Sequence, residues 1–278
     1  MEIQEDIASI ASRQVNQEQS DLHSKILAWL TPVDYASQHS DFSSRKQPGT
    51  GDWIFESDAF IKWITQPKKT LFCPGIPGAG KTIIASAVIK HIFDRFPDVK
   101  MTGVAYIYGN FRRNDDQRPV DILCSLLKQF LQQVSSVPRD IHEEYQDSVR
   151  KGGARPPIET MSRLLVSLLV QFDRCFVVLD ALDELRAQDP ACTGLLSELF
   201  SVQEKSRMNL FVTSQFIPEL VDHFKQNEDT LSLEIEAREI DVRRYLEGRM
   251  SQLPGFVRKN ADLQKEIVIE ISQSIDGM

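Results

Sequence analysis

Leu71-Phe72-Cys73-Pro74-Gly75-Ile76-Pro77-Gly78-Ala79-Gly80-Lys81-Thr82 reads as a short apolar strand, a glycine-rich loop and the start of a helix. The pattern G-x-x-x-x-G-K-[ST] is complete from Gly75 to Thr82. Glycines allow a backbone to curl until successive N–H groups point inward, where they cradle phosphate oxygens. A following helix adds the positive end of its dipole. Gly75, Ile76, Pro77, Gly78, Ala79, Gly80, Lys81 and Thr82 are therefore the candidate nucleotide-binding residues. In this pattern the lysine reaches the β- and γ-phosphates and the threonine hydroxyl ligates Mg²⁺. Downstream, Ile83, Ile84, Ala87, Val88 and Ile92 recur at helical spacing, so the loop has the strand–loop–helix setting that the pattern requires.

A second stretch completes the chemistry. Cys175-Phe176-Val177-Val178-Leu179-Asp180 is an apolar strand ending in an acid, followed by Asp183 and Glu184. An acid at the carboxyl end of a strand beside the phosphate loop can hold a metal shell. Asp180 is the candidate metal ligand with Thr82. Asp183 and Glu184 are the candidate catalytic acids, one of them to polarise the attacking water, with Glu184 preferred.

The rest of the composition bounds the answer. The chain has 278 residues, 41% hydrophobic and 26% charged, which is ordinary globular composition. Net charge is -8 and the pI is about 5.2, so nucleic acid is not expected as a partner. Cys73, Cys124, Cys175 and Cys192 are dispersed and read as reduced thiols rather than disulfides or zinc ligands. The five histidines do not cluster. The acidic N-terminus lacks a signal-peptide core, and no apolar run is long enough for a bilayer. The expectation is a cytoplasmic protein with no membrane partner.

Along the chain, Ile3, Ile7 and Ile10, and then Leu22, Ile26, Leu27 and Leu30, suggest one or two helices packed on the main domain. Residues 34–50 read as polar and aperiodic, leading into the turn-rich Pro48-Gly49-Thr50-Gly51-Asp52-Trp53. Phe55, Ala59, Phe60, Trp63 and Ile64 form one helix, with Ser57 as a possible N-cap. Strands are expected at 70–74, 102–109, 175–180, 208–213 and 231–236, the last at an edge because its residues alternate. Arg112 and Arg113 follow the second strand, either facing a phosphate or forming a solvated loop edge. Helices are expected from Pro119, around Met161–Phe172, around 194–202, from Arg238 and near Leu263–Ile275. Alternating strands and helices imply an α/β fold with an open parallel sheet covered on both faces.

With these residues assembled, the chain from about Leu22 to Met278 resembles a NACHT-type domain of the STAND class of signal-transducing NTPases. It is most similar to the fungal form described as nephrocystin-3-like. The resemblance rests on Pro48 to Trp53, on GIPGAGKT, on FVVLDALDEL, on LFVTSQ and on Asp241-Val242-Arg243-Arg244-Tyr245-Leu246. It implies a P-loop NTPase of three layers, α/β/α, with a mainly parallel five-stranded sheet ordered 5-1-4-3-2. It also implies an N-terminal helical segment and linker over residues 1–47, the nucleotide-binding core over 48–237 and the start of a C-terminal helical subdomain over 238–278. ATP or GTP with Mg²⁺ would bind between core and subdomain, ATP being the default because no N-K-x-D guanine signature is present. Thr50 joins the candidate site through this resemblance. Self-association, or effector and sensor domains of a longer protein, would be the partners besides nucleotide. The family commonly ends its fourth-strand segment T-S-R with the arginine near the γ-phosphate, where this chain has Thr213-Ser214-Gln215. The leading expectation is nucleotide binding with slow Mg²⁺-dependent hydrolysis as a signalling switch, in the fungal setting one of non-self recognition or cell death. A scaffold with little hydrolysis and a P-loop phosphotransferase are the alternatives.

Overall fold

Unbroken apolar runs become the middle strands of one sheet, because a strand covered on both faces has no polar side to show. The computed structural model describes residues 17–98, 101–111, 117–185 and 190–275. Its strands are β1 (Thr70–Pro74), β2 (Thr102–Tyr108), β3 (Arg174–Asp180), β4 (Met208–Ser214) and β5 (Thr230–Ser232). They pair in parallel in the order β2-β3-β4-β1-β5, which read from the other edge is the expected 5-1-4-3-2. All of β1 and β4 is buried, and β3 is buried after Arg174.

Residues 17–30 form helix α1. Then come α2 (Ala36–Arg45), α3 (Trp53–Glu56), α4 (Asp58–Thr65) and α5 (Lys81–Arg95). Between β2 and β3 lie α6 (Pro119–Leu131), α7 (Arg139–Arg150) and α8 (Ile158–Leu169), and α9 (Pro190–Lys205) and α10 (Pro218–Lys225) flank β4. The chain closes with α11 (Glu239–Arg249), α12 (Gly255–Arg258) and α13 (Ala261–Ile275).

Strand residues two apart share a face, and the register sets the layers. Phe176 and Val178 of β3 pair with Asn209 and Phe211 of β4, and Tyr108 of β2 pairs with Asp180. That face carries α2, α4 and α5: Trp63 packs edge-on to Phe176 and Phe211 with ring centroids 5.4 and 5.7 Å away, and His39 Nδ1 meets Tyr108 Oη at 2.9 Å. The opposite face carries α6, α8, α9 and α10, where Phe72 stacks on Phe224 at 4.2 Å. Burial pushes the Cys124 and Cys175 thiols up to about 12 and Cys73 higher still, as inert core thiols require, while the side chain of Cys192 lies outside the described residues.

The outer edge of β2 is sealed by side chains. Gln133 bonds both Val104 N (3.0 Å) and Val104 O (2.7 Å), and Gln129 bonds Tyr106 N (3.0 Å) and Tyr106 O (2.8 Å). Gln117 completes the row, accepting from Asn110 N at 2.9 Å and donating to Tyr108 O at 3.0 Å. Three amides thus occupy backbone groups that an edge strand otherwise offers to another chain.

Several expectations need correction. β5 ends at Ser232 rather than residue 236, although Leu233 N and Ile235 N still donate to Phe72 O and Pro74 O at 3.0 and 2.8 Å. The helix expected over Phe55–Ile64 is two, because Ser57 caps α4 by accepting from Phe60 N at 3.2 Å and the chain turns there. Helices α2, α7 and α10 were not expected. Ile3, Ile7, Ile10, Arg112 and Arg113 lie outside the described residues. Ile26 and Leu30 of α1 are buried in the same core as the sheet.

Candidate nucleotide-binding site

The loop between β1 and α5 is shaped by two different demands on glycine. Gly78 and Gly80 have φ of +84° and +89°, the left-handed region that side chains avoid, and no atom lies within 4 Å of a Cβ added at either. Gly75 is required for space instead: an added Cβ would sit 2.3 Å from Ile235 O. The chain leaving β5 therefore presses on the start of the loop, and Ile235 is fully buried there.

Lys81 opens α5, and its Nζ donates to Gly75 O and Ile76 O, both at 2.8 Å. Burial lowers its pKa, opposed by the charges of Asp183, Asp180 and Glu184. The same loop lysine thus senses all three acids that the sequence singled out. Asp180 ends β3, only 2% exposed. Burial raises its pKa from 3.8 to about 6, against hydrogen bonds from Thr213 and Thr82 that favour the carboxylate. Thr82 thus lies near enough to Asp180 to favour its charged form.

After Asp180 the backbone turns sharply. Ala181 has φ +55°, and a 3-10 turn over Leu182–Glu184 brings round the next two acids. Asp183 Oδ1 accepts from Gln215 N at 3.1 Å, and Glu184 Oε2 accepts from Phe111 N at 3.3 Å. Each acid is tied to a different loop, one after β4 and one after β2. Gln215 meets the site through its backbone N–H, a contact open to every residue but proline.

Beside the loop lies a cavity of about 450 Å³, within the range of small-molecule sites. Gly78, Ala79 and Gly80, Ile83 and Ile84 wall one side, and Val242, Tyr245 and Asp241 the other. Thr50 and Gly51 line it too, and the Thr50 hydroxyl donates to Gln47 O at 2.8 Å. Asp241 Oδ2 accepts from Gly51 N at 2.9 Å, and Arg244 donates to Gly49 O at 2.6 Å. The Arg238 guanidinium lies 3.8 Å above the Trp53 ring. Sequence reasoning assigned no site role to Asp241, Arg244 or Arg238. The signal for Asp241 and Arg244 is the pairing of Pro48–Trp53 with Asp241–Leu246, which the fold brings together; Arg238 lies outside both stretches.

Among the described residues, no three His, Cys, Asp or Glu side chains gather to hold a metal. Thr82 and Asp180 supply one hydroxyl and one carboxylate, hard oxygen donors that suit Mg²⁺, an ion bound largely by substrate phosphates and water.

A family model described as Nephrocystin 3, N-terminal, matches residues 49–215. The chain belongs to this family. No curated protein matches it. Among solved structures, the Aeropyrum pernix Orc1 protein in complex with DNA aligns with a TM-score of 0.51 at 15% identity, over 82% of this chain and 55% of that one. Drosophila ORC bound to DNA gives 0.46 at 16% identity, over 85% and 57%, and domain III of Thermotoga maritima DnaA gives 0.41 at 18%, over 86% and 88%. The chain spans about half the length of the Orc1 structure, and that likeness shows the fold, that of a P-loop NTPase. It also corrects one expectation. Nucleic acid was set aside on net charge, yet this fold occurs in a protein solved in complex with DNA, so that exclusion is withdrawn. No described helix is long and apolar enough to cross a membrane.

Proposed function

We propose that this chain binds a nucleoside triphosphate with Mg²⁺, ATP by default, and hydrolyses it slowly as the switch of a NACHT-type signalling protein. The observation that carries this is the convergence of Lys81, Thr82, Asp180, Asp183 and Glu184 at one end of the sheet, beside a 450 Å³ cavity. The nucleoside fits that cavity, whose walls are Ile83, Ile84, Val242 and Tyr245 with Thr50 and Gly51 at the rim. The phosphates lie on the loop at the N-terminus of α5, where oriented N–H groups favour anions. Lys81 exchanges its two carbonyl partners for phosphate oxygens. Thr82 and Asp180 hold Mg²⁺, which when bound neutralises charge on the phosphates. Glu184, with Asp183 beside it, orients and deprotonates the attacking water. Gln215 offers no charge where the family has arginine, which supports slow turnover.

The test is to denature freshly purified protein, identify any released nucleotide by chromatography, and measure thermal shifts with Mg-ATP and Mg-GTP. Ligand at about 1,000 times its dissociation constant stabilises a fold by about 4 kcal/mol. Wild type should melt several degrees higher with Mg-nucleotide, and Lys81→Ala should not. Equal shifts in the two proteins would reject the assignment.

A further inference from the structure

Behind Asp180 stands a residue that neither the loop motif nor the acidic strand includes. Thr213, fully buried near the end of β4, donates its hydroxyl to Asp180 Oδ1 at 2.7 Å. Thr213 Oγ1 in turn accepts from Ala181 N at 2.9 Å. An oxygen that accepts from an N–H must send its single proton elsewhere, so the direction of the Thr213–Asp180 bond is set by the backbone. The backbone is itself constrained. Ala181 is left-handed, which costs energy in a residue with a Cβ. Gly109 N donates to Asp180 O at 2.9 Å, and an added Cβ at Gly109 would lie 2.3 Å from Ala181 O. Thr213 therefore spans the two halves of the turn, its hydroxyl on the carboxylate before it and its lone pair on the N–H after it.

We infer that Thr213 is a positioning residue for the cation site: it occupies one oxygen of Asp180, aims the carboxylate, and holds the turn that delivers Asp183 and Glu184. The Thr82 hydroxyl beside Asp180 would serve a bound cation. Among the described residues, Thr213 is the side chain that donates to this carboxylate, at 2.7 Å. The inference rests on the nucleotide reading above, and it assigns Thr213 a role in metal affinity distinct from the affinity of the loop for nucleotide.

The experiment is a Mg²⁺ titration of the thermal shift at fixed ATP, with a parallel series in ATP and chelator. Loss of a group that holds a metal ligand from behind lowers metal affinity by roughly 10–100-fold. Thr213→Val, near in shape but without the hydroxyl, should need about tenfold more Mg²⁺ to reach its half-maximal shift. Its shift with ATP and chelator should match wild type, and Thr213→Ser, which retains both bonds, should titrate like wild type. If Thr213→Val does not fold, Thr213→Ala carries the same comparison. A wild-type Mg²⁺ midpoint in the hydroxyl-free variant overturns the inference alone, as does a metal-free shift that falls by the same factor. A wild type that shows no shift with nucleotide under any condition overturns this inference and the nucleotide reading together.

Discussion

The Thr213 hydroxyl holds Asp180, with Thr82 nearby, in a place that disfavours its charge. Its folded pKa of about 6 lies above the ordinary 3.8, so the folded chain binds that proton more tightly than the unfolded one. Stability from this group is therefore complete below about 3.8 and lost as pH rises through about 6. The difference corresponds to roughly 3 kcal/mol at neutral pH. Asp180→Asn removes that cost but surrenders part of the bonding from Thr82 and Thr213, each bond worth about 1 kcal/mol. Without nucleotide, the variant should be more stable than wild type by about 1–2 kcal/mol at pH 7.5, with the gain gone by about pH 4. With Mg-nucleotide the order should reverse, because the cation has lost its carboxylate. Thermal unfolding at the two pH values decides this, and a variant less stable at pH 7.5 without nucleotide would contradict it. At Gln215 the backbone bond to Asp183 is open to every residue but proline, so the side chain can be tested cleanly. An arginine aimed at a transferring phosphate is worth on the order of 10³–10⁵ in rate. Gln215→Arg should raise single-turnover hydrolysis at least several-fold with nucleotide affinity little changed, and a rate no higher than wild type would remove Gln215 from the explanation of slow turnover.

At the scale of elements, the glutamine row on β2 is a stability device with a measurable failure. Gln129 and Gln133 each satisfy one N–H and one C=O of the strand edge. An orphaned backbone group costs about 1–3 kcal/mol where it is shielded from water. Gln129→Ala combined with Gln133→Ala should lower the urea midpoint and promote concentration-dependent association through the uncovered edge. Unchanged unfolding with light scattering as low as wild type would show that water replaces the amides without cost. These glutamines also mark what could be read in advance. The strands β1, β3 and β4 were legible because both faces are buried, which demands unbroken apolar residues. Helix α2 was not, because it buries no residue fully and is held by Phe42 and His39 against Tyr108. Helix α10 fully buries only Leu220 and Phe224, and α7 only Ile141 and Ser148, too few to show a period. The loop residues and acids can be singled out as candidates because phosphate chemistry restricts residue type at each position. Thr213 reads in the sequence as the end of a strand and part of LFVTSQ, because nothing in its local sequence says that its hydroxyl reaches another strand.

Across the whole molecule, the cavity joins two parts held together by few and polar contacts. Helix α11 has no fully buried residue, whereas α5, α6 and α8 on the sheet each have several. It docks on residues 45–51 through Asp241 to Gly51 N, Arg244 to Gly49 O, and Arg249 to Arg45 O at 3.4 Å. Exposed polar contacts contribute little each, so this docking sits at the low end of local stability, where opening is readily populated. Val242 and Tyr245 line the cavity from α11, while Gly78 to Gly80 line it from the loop. A ligand touching both walls binds the docked arrangement better than the open one, and it shifts the population by that difference alone. By linkage, docking strengthens nucleotide binding by the same factor that nucleotide strengthens docking, so a variant with a larger open population binds nucleotide more weakly. Arg244→Ala and Asp241→Asn stand away from the phosphate loop, yet each should lower nucleotide affinity about five- to tenfold and chiefly through faster dissociation. Hydrogen exchange over residues 239–249 should slow on adding Mg-nucleotide in wild type and slow less in either variant. If both variants bind nucleotide like wild type while exchange over α11 ignores the ligand, the helix is a passive wall and the coupling proposed for the switch does not pass through it.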